Sequence, residues 1–377
     1  MSITADLNLQ GEKRMRVIVA GGGIVGLTVG LALRAIGAEV LICEQSPEIR
    51  AAGASIGLWK NALEVFAEFG VGDQINAIGT QIEAWFYDAS GNRFRAPGFD
   101  VADHSFLLVP RPALNTLLAD AAGSENIKLN SRIVGFEEHE EKVSVRFANG
   151  DIEDADLLIG ADGVYSVVRN RLVPGYPAKE HRGHHVWRAM IPSCGEPAEG
   201  SILTVGHYRT RGGYSRTYGG QVTWMVNQFE SEIPTGTKKE EALRRAANLN
   251  DESLIKLIES TPEEAILHNQ IMFVPPLPRW VSARVALIGD AAHGLSPHIS
   301  AGGTLGIEDV RVLVHLLKAG PDIQTALRAY EANRIPHYQM VHRLSLDVEH
   351  SVDAREYARF YATFSHWMLN EGSATNF

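Results

Sequence analysis

Three glycines between an apolar strand and a helix constrain the fold of this chain more than any other feature. Gly21, Gly23 and Gly26 form the pattern G-x-G-x-x-G, which follows the apolar run Arg16–Ala20 and opens a helical stretch over Ile24–Ile36. The first glycine permits a tight turn, the second lets a pyrophosphate approach the backbone, and the third lets the helix pack on the strand. The free N–H groups and positive dipole end of the helix would then face the phosphates. This order predicts a dinucleotide-binding βαβ unit.

An acidic residue after the next strand supports the same interpretation. Glu39–Cys43 is predicted to be a second buried strand, and Glu44 follows it, where its carboxylate can accept hydrogen bonds from an adenosine ribose. The alternative is a glycine turn in an unrelated βαβ unit, but the order strand, glycines, helix, strand and acid favours a nucleotide site. Because NAD and FAD both bind this fold, other segments must distinguish them.

The rest of the chain alternates between α/β segments and β-rich segments. Continuous apolar strands, which suit a parallel sheet with both faces covered, are predicted at 156–160 and 284–289. Helices are predicted at 61–69, 111–122, 238–258, 307–318 and through most of 323–364. Alternating strands and turns are predicted at 82–99, 134–156 and 186–229. The pattern predicts an α/β fold in which a discontinuous Rossmann-like domain carries an inserted β-sheet domain and a helical C-terminus.

We therefore divide the chain into three parts. Residues 1–80, 105–180 and 281–320 are assigned to the nucleotide domain. Residues 81–104 and 181–280 are assigned to the inserted substrate domain, and residues 321–377 to the C-terminal helical region.

Composition argues against several classes of function. The formal net charge is −10 and no lysine- or arginine-rich run occurs, which argues against nucleic acid and anionic membranes as partners. Cys43 and Cys194 stand far apart, which excludes a cysteine zinc site and fits a reducing compartment. No His/Asp/Glu spacing predicts a metal site. The N-terminal stretch is polar and no run reaches the ~18 apolar residues of a membrane span, so we expect a cytoplasmic protein.

Two further motifs distinguish FAD from NAD. They are GADGVYSVVR at 160–169 and LIGDAAHGLSP at 287–297, the latter followed by AGGTLGIEDV at 301–310. Together with the glycine motif, they resemble the three fingerprints of single-component FAD-dependent aromatic hydroxylases, the class A flavoprotein monooxygenases. The resemblance extends over nearly the whole chain, in order and at suitable spacing. It implies a GR2-type FAD-binding domain that holds one FAD tightly and non-covalently.

The resemblance also implies roles for individual residues on the adenosine and ribitol side of FAD. Glu44 would hold the adenosine ribose, and Arg111 would reach the pyrophosphate or ribitol. Asp162 would support the pyrophosphate side and the encounter with NAD(P)H, and Asp290 would bind the ribitol. The alternatives are a solvated charge for Arg111 and simple turn-forming roles for the two aspartates.

A second group of residues would line the flavin ring. This group comprises Pro297, Gly302, Gly303 and Thr304, where backbone N–H groups can approach the ring edge that gains negative charge on reduction. His293 is either a flavin neighbour or a structural residue. The family usually reads P-x-x-G-Q-G here, whereas residues 297–302 read PHISAG. Gly57 stands where some relatives carry a histidine proposed as a base.

Within the family, ASIGLWKN at 54–61 and ALRAYEANR at 326–334 resemble the FAD-dependent urate hydroxylases. That branch implies an arginine on a substrate-domain strand that pins the heterocycle, and Arg211 is the candidate. A tyrosine expected further along that strand is replaced by Thr223. Residues 205–224 are rich in cations and aromatic rings, which suit a planar anionic ring. A solvated strand face is the alternative.

These features predict an FAD-dependent monooxygenase that consumes NADH or NADPH. With O2 it would form a flavin C4a-hydroperoxide and hydroxylate an electron-rich aromatic or N-heteroaromatic small molecule. Since no second G-x-G-x-x-G occurs, we expect no separate NAD(P)H domain, and the protein would act as a monomer or homodimer. The alternatives are an FAD-dependent oxidase, epoxidase or reductase of the same fold, and a non-catalytic flavin-binding regulatory protein.

Overall fold

The computed structural model describes residues 14–49, 54–197, 203–297 and 301–371. The strands are β1 (Arg16–Ala20), β2 (Glu39–Cys43), β3 (Ser55–Leu58), β4 (Thr80–Glu83), β5 (Phe86–Asp88), β6 (Arg93–Phe94), β7 (Ser105–Pro110), β8 (Ile127–Lys128), β9 (Ile133–Glu138), β10 (Val143–Phe147), β11 (Ile152–Ala155), β12 (Leu157–Gly160), β13 (Lys179–Pro192), β14 (Leu203–Val205), β15 (Thr210–Thr217), β16 (Gln221–Gln228), β17 (Leu267–Phe273) and β18 (Val285–Leu287). The helices are α1 (Ile24–Ala35), α2 (Lys60–Glu68), α3 (Gly72–Ala77), α4 (Arg111–Ala122), α5 (Val167–Leu172), α6 (Lys238–Ala246), α7 (Glu252–Ser260), α8 (Asp290–His293), α9 (Ala301–Ala319), α10 (Ile323–His350) and α11 (Ala354–His366).

A five-stranded parallel sheet forms the frame of the nucleotide-binding part. Its strand order is β18-β12-β1-β2-β8, and each neighbouring pair is parallel. Val17, Ile18 and Val19 in β1 are fully buried, as expected for a strand covered on both faces. The strands predicted at Arg16–Ala20 and Glu39–Cys43 are confirmed with those bounds. Because the strands are parallel, the segments that follow them emerge along one edge of the sheet.

The glycines after β1 are required by close backbone contacts. Gly21 has a φ of +104°, and a Cβ on it would lie 2.5 Å from the Ala161 carbonyl oxygen. A Cβ on Gly26 would overlap the carbonyl oxygen of Gly21. The turn and the first turn of α1 can therefore pack against each other only when these positions lack side chains.

Helix α9 begins earlier than the sequence predicted. The expected start was residue 307, but the helix already includes Ala301 and the glycines that follow it. A Cβ on Gly306 would lie 2.6 Å from Val25 Cγ2. These glycines therefore permit close packing of α9 on α1 and do not form a loop, which composition alone would favour.

A seven-stranded, mainly antiparallel sheet lies in the inserted part of the chain. Its order is β17-β13-β16-β15-β14-β5-β6. One face packs on α6 and α7 through a buried cluster that includes Trp187, Trp224 and Leu257. The opposite face of β15 and β16 looks toward α11. The meander predicted at 134–156 is confirmed as the antiparallel sheet β11-β10-β9.

The C-terminal helices close the structure against that opposite face. Helix α11 packs aromatic residues on Phe86 and Trp59; the Phe86 ring centroid lies 5.0 Å from that of Tyr357 and 4.9 Å from that of Tyr361. The helical region predicted at 323–364 is confirmed as α10 and α11. Within the described ranges, no helix combines the length and the apolar character needed to cross a bilayer.

Candidate active site

The carboxyl ends of the parallel strands open on a cavity of about 430 Å³, which we call the strand-edge cavity. Its walls include Gly21, Gly23, Glu44 and Asp162. These residues come from the segments after β1, β2 and β12, which are neighbouring parallel strands. Parallel topology thus brings together residues that are distant in the sequence, at the edge where open α/β sheets bind ligands.

Gly23 leaves an open space at the start of α1. A Cβ built on it would meet no atom within 4 Å. Gly23 is the N-cap residue of α1; no side chain caps this helix and no acidic residue occupies its first turn. The N–H groups and the positive dipole end of α1 therefore face the cavity, an arrangement that suits a pyrophosphate.

Two backbone groups fix the carboxylate of Glu44 in the cavity wall. Its Oε2 accepts a hydrogen bond from Gly22 N at 2.8 Å, and its Oε1 accepts one from Ser46 N at 2.9 Å. Since each carboxylate oxygen has a second lone pair, both can still accept hydrogen bonds from ribose hydroxyls. This position fits the predicted contact with the adenosine ribose, which stays a prediction.

Asp162 faces the cavity and also holds the start of α5. Its carboxylate accepts hydrogen bonds from Ser166 Oγ at 2.5 Å and from the backbone N–H of Val167 at 2.8 Å and Val168 at 3.2 Å. Burial raises the pKa of the Asp162 carboxyl, and these hydrogen bonds oppose the rise. Asp162 thus orders the loop after β12, and its role toward NAD(P)H stays a prediction.

Arg169 is a site residue to which the sequence assigned no role. Its fully buried guanidinium donates hydrogen bonds to the carbonyl oxygens of Val164 at 2.7 Å and Ala291 at 3.1 Å. Because Ala291 belongs to α8, Arg169 joins the loop after β12 to the loop after β18. The arginine that ends GADGVYSVVR was the available signal, but its partner is 122 positions away.

A second cavity of about 420 Å³, the central cavity, shares Gly23, Ala161 and Gly163 with the strand-edge cavity. Besides Gly23, five of the predicted cofactor residues line it, namely Arg111, Asp290, Pro297, Gly302 and Gly303. Thr304 lies buried behind this wall, where its Oγ1 accepts a hydrogen bond from Trp59 N at 3.4 Å. Of the two residues that depart from the family loop, Ser300 lies outside the described residues, and Ala301 is fully buried at the start of α9.

Small residues bring the backbone at the start of α9 to the central cavity. Around a Cβ on Gly302, the nearest atom would be Oδ1 of Asp290 at 3.7 Å, whereas a Cβ on Gly303 would meet Ile56 Cδ1 at 2.7 Å. A larger residue at position 303 would therefore have to displace the side chain of Ile56 in β3. The arrangement can offer backbone N–H groups to a planar ring that gains negative charge.

Asp309 holds the loop that carries Asp290. From α9, its carboxylate accepts a hydrogen bond from Gly289 N at 3.0 Å, lies 2.6 Å from His293 Nε2 and pairs with Arg334 Nε at 2.7 Å. Burial alone would raise the pKa of the Asp309 carboxyl, but the charges of His293 and Arg334 hold it well below its usual range. His293 lies in this buried network and lines none of the cavities described here, which favours its structural alternative.

A third cavity of about 150 Å³, the inner cavity, lies between the seven-stranded sheet and α11. Its polar and aromatic walls include Arg211, Ser215, Thr223, Asn227, Tyr357 and Tyr361. It shares Ser55, Gly57, Arg188, Met225 and Pro297 with the central cavity. The two cavities therefore adjoin, with the predicted flavin-side residue Pro297 at their boundary.

The predicted substrate arginine, Arg211, lies in the wall of the inner cavity. Its Nη2 donates hydrogen bonds to the Glu349 carbonyl oxygen at 2.7 Å and to Ser351 Oγ at 3.1 Å. The guanidinium carbon lies 4.8 Å from the ring centre of Tyr357 and 5.0 Å from that of Phe229. Burial lowers the pKa of the Arg211 guanidinium. One end of the fork thus holds the end of α10, and the other end, Nη1, is buried without a partner among the described residues.

Arg188 lies where the inner and central cavities meet. Its Nη2 donates a hydrogen bond to Asn269 Oδ1 at 3.1 Å. Burial lowers the pKa of Arg188, and the like charge of Arg111 lowers it further. Arg188 lies outside the cation-rich stretch 205–224, and the pairing of β13 with β16 brings it to this junction.

Several other charged and aromatic residues of the inserted domain lie outside the three cavities. Arg216 pairs with Glu196 at 2.9 Å, and Arg209 pairs with Glu230 at 3.1 Å. His184 stacks on Phe229 and His185 stacks on His268; neither histidine lines the three cavities. Arg211 and Arg188 therefore reach the site, whereas Arg209 and Arg216 are held in ion pairs.

The residues along the strand-edge and central cavities fit FAD. Glu44 can accept hydrogen bonds from a ribose, the start of α1 can bind a pyrophosphate, and Asp290 can accept hydrogen bonds from a polyol. The open space over Gly23, which a Cβ would enter, is the structural observation behind this fit.

Comparisons with known proteins give the same result. The chain matches the family described as FAD binding domain over residues 14–345. It is 30% identical over 363 residues to 6-hydroxynicotinate 3-monooxygenase of Bordetella bronchiseptica, covering 90% of this chain and 92% of that protein. It is 28% identical over 360 residues to the FAD-dependent urate hydroxylase of Klebsiella oxytoca, covering 90% and 91%. The solved structure of Klebsiella pneumoniae HpxO complexed with FAD and uric acid matches with a TM-score of 0.81 at 26% identity, covering 98% of both chains.

Proposed function

The chain belongs to the FAD binding domain family and is an FAD-dependent monooxygenase, and we propose that it hydroxylates an electron-rich aromatic or N-heteroaromatic small molecule. The observation that carries this proposal is the adjoining pair of cavities. The central cavity is lined by the predicted flavin-side residues, and the inner cavity opens on it at Pro297. A small ring held in the inner cavity would therefore lie next to the cofactor.

The inner cavity has the chemistry of a site for a planar, electron-rich ring. Tyr357 and Tyr361 supply aromatic faces, and Arg211 and Arg188 supply positive charge. A guanidinium beside the ring favours an anionic form, which is the more nucleophilic form for hydroxylation. The buried walls limit the access of water, which strengthens such electrostatic contacts.

Residues of this chain hold and orient the cofactor. The start of α1 binds the pyrophosphate, Glu44 accepts from the adenosine ribose, and Asp290 accepts from the ribitol. The first turn of α9 donates backbone N–H groups to the flavin edge, and Asp309 fixes the loop of Asp290. When bound, FAD supplies the transfer of electrons from NAD(P)H to O2 and the insertion of one oxygen atom into the substrate.

Several further features belong to the same proposal. NADH or NADPH is the co-substrate and meets the flavin without a nicotinamide domain of its own, because the sequence carries one G-x-G-x-x-G motif. The protein works in the cytoplasm as a monomer or homodimer, without a nucleic acid or membrane partner. The domain division given from the sequence is kept: residues 81–104 and 181–280 form the substrate domain.

The test uses the purified flavoprotein with a panel of single-ring and fused-ring aromatic and heteroaromatic acids. A substrate should accelerate NAD(P)H oxidation, and mass spectrometry under 18O2 should find one labelled oxygen atom in the product. Without substrate, NAD(P)H oxidation should be slow and release hydrogen peroxide. Products that carry no label would exclude hydroxylation and favour an oxidase or reductase, and a flavoprotein that never oxidises NAD(P)H would favour a regulatory role.

A further inference from the structure

We propose that Asn227 determines substrate specificity together with Arg211, by selecting a single aromatic ring on which a hydrogen-bond donor stands next to an anionic or carbonyl oxygen. The inference rests on the proposed function, since it concerns the substrate of the same site. In this proposal Asn227 supplies a hydrogen-bond acceptor beside the donor of Arg211, and the size of the cavity limits the substrate to one ring.

The register of the sheet places the two side chains next to each other. Arg211 of β15 is directly opposite Asn227 of the antiparallel strand β16. Directly opposed residues project from the same face, with Cβ atoms about 4.5–5.5 Å apart. Both residues line the inner cavity, and they are 2% and 1% exposed respectively. A ligand edge of a few atoms can therefore contact both.

Each of the two side chains has a buried polar atom that no described residue satisfies. Arg211 Nη1 is a donor without an acceptor, and Asn227 Oδ1 is an acceptor without a donor. Buried polar groups in native proteins are nearly always paired. An unpaired donor and an unpaired acceptor in one cavity wall thus match a ligand edge that carries an acceptor beside a donor.

The guanidinium is held in a fixed orientation, so its free nitrogen has a fixed direction. Arg211 Nη2 is bound by the end of α10 through Glu349 and Ser351, and the Tyr357 ring lies over the guanidinium. Because the fork is planar and rigid, holding Nη2 also sets the direction of Nη1. The donor is therefore preorganised for one position of the substrate oxygen.

Charge and size complete the description of the substrate. No acidic side chain from the described part of the chain lines the inner cavity, whereas Arg211 and Arg188 do. This balance favours an anionic oxygen, such as a carboxylate or phenolate, opposite Arg211. A cavity of about 150 Å³ corresponds to roughly one benzene ring. An ortho-amino or ortho-hydroxy aromatic acid, or a pyridone-like ring, has the required edge.

The test measures binding to the FAD-loaded enzyme and does not depend on turnover. The probes are 2-aminobenzoate, which carries both groups, and 2-methylbenzoate, which has nearly the same shape but no donor. Each is titrated while the flavin absorbance is followed, giving a Kd. The wild type should bind 2-aminobenzoate about ten- to a hundredfold more tightly, since the analogue leaves a buried acceptor unpaired. Equal affinities would overturn the proposal without any variant.

Variants assign the discrimination to one residue. Asn227→Leu has a similar volume but no acceptor, and it should bring the two affinities to within about twofold. Asn227→Asp keeps an acceptor and adds negative charge. It should therefore keep the preference for 2-aminobenzoate but bind both anionic probes more weakly than the wild type does. Asn248→Leu is the matched control, because it makes the same exchange at a residue that lines none of the three cavities; its Nδ2 donates to Thr210 Oγ1, and the ratio should stay at the wild-type value.

The remaining outcomes also decide the proposal. If Asn227→Leu has normal FAD content and still prefers 2-aminobenzoate by the wild-type ratio, another acceptor must bind the amino group of the ligand. If Asn227→Leu does not fold, loss of the preference in Asn227→Asp would likewise refute the assignment. 3-Amino-2-naphthoate presents the same edge on a fused ring and should bind at least about tenfold more weakly; equal binding would refute the single-ring limit. Discrimination without any hydroxylated product would refute the proposed reaction and leave this inference standing.

Discussion

Replacement of Gly23 by alanine tests where the pyrophosphate of FAD lies. Gly23 has φ −81° and ψ −179°, a conformation open to any residue, and its Cβ would meet no protein atom within 4 Å. The cost to the apo protein should therefore be limited to the weaker N-cap preference of alanine, about 1 kcal/mol. The methyl group would, however, enter the space in front of the N–H groups of α1.

The effect on FAD affinity follows from that position. If the methyl group removes one hydrogen bond between a backbone N–H and a phosphate oxygen, the loss is about 1.5–3 kcal/mol. Since 1.4 kcal/mol corresponds to about a factor of ten in Kd, Gly23→Ala should bind FAD about ten- to a hundredfold more weakly. Urea unfolding of the apo protein measures the change in stability, and quenching of FAD fluorescence measures the change in FAD affinity.

Gly26→Ala is the matched control for the same exchange in the same motif. Its Cβ would overlap the Gly21 carbonyl oxygen, so the turn itself must move. Overpacking of this kind costs about 1–3 kcal/mol, and the gain in helix propensity returns about 1 kcal/mol. Gly26→Ala should thus destabilise the apo protein, whereas Gly23→Ala should mainly weaken FAD binding. Wild-type FAD affinity in Gly23→Ala would refute the placement of the pyrophosphate at α1.

Three further predictions concern single side chains. Glu44→Ala should weaken FAD binding about ten- to a hundredfold, because charge-assisted hydrogen bonds to the ribose are lost; unchanged affinity in a fluorescence titration would remove only the Glu44 assignment. Arg211→Lys should lower kcat/KM about ten- to a hundredfold with normal FAD content, since a point charge cannot replace the fork; steady-state kinetics beside flavin spectra check this, and unchanged kcat/KM would shift the search to Arg188. Asp309→Asn should cost about 1.5–3 kcal/mol of unfolding free energy at neutral pH, because the buried Arg334 loses the charge of one of its two acidic partners and keeps only Glu308. The folded-state pKa of Asp309 is depressed, so its contribution is complete above the unfolded value of about 3.9 and is lost as the pH falls toward the folded value. Urea midpoints measured from pH 7 downward should therefore converge for wild type and Asp309→Asn, and parallel curves would contradict this linkage.

The nucleotide motif was predictable from the sequence because its determinants are local. Gly21 and Gly26 are required by contacts within one turn and the helix that follows it, and apolar runs such as Arg16–Ala20 identify buried strands wherever they occur. The positions of Glu44, Asp162 and Asp290 along one edge then follow from parallel topology. For these reasons the FAD fold and the cofactor could be inferred before the structure, and the residues expected to hold the cofactor could be named as predictions.

The proposed substrate site depends on contacts between residues that are far apart in the sequence. The sequence alone did not reveal these contacts. Arg211 could be proposed from a resemblance, but its neighbour Asn227 follows only from the register of β15 with β16, which a shift of one residue would turn to the opposite face. Arg169 and Asp309 act through partners on other loops. Residues that are close in the sequence determine periodicity and local steric constraints. Strand register and the pairing of buried charges are determined only when the sheets and helices pack together.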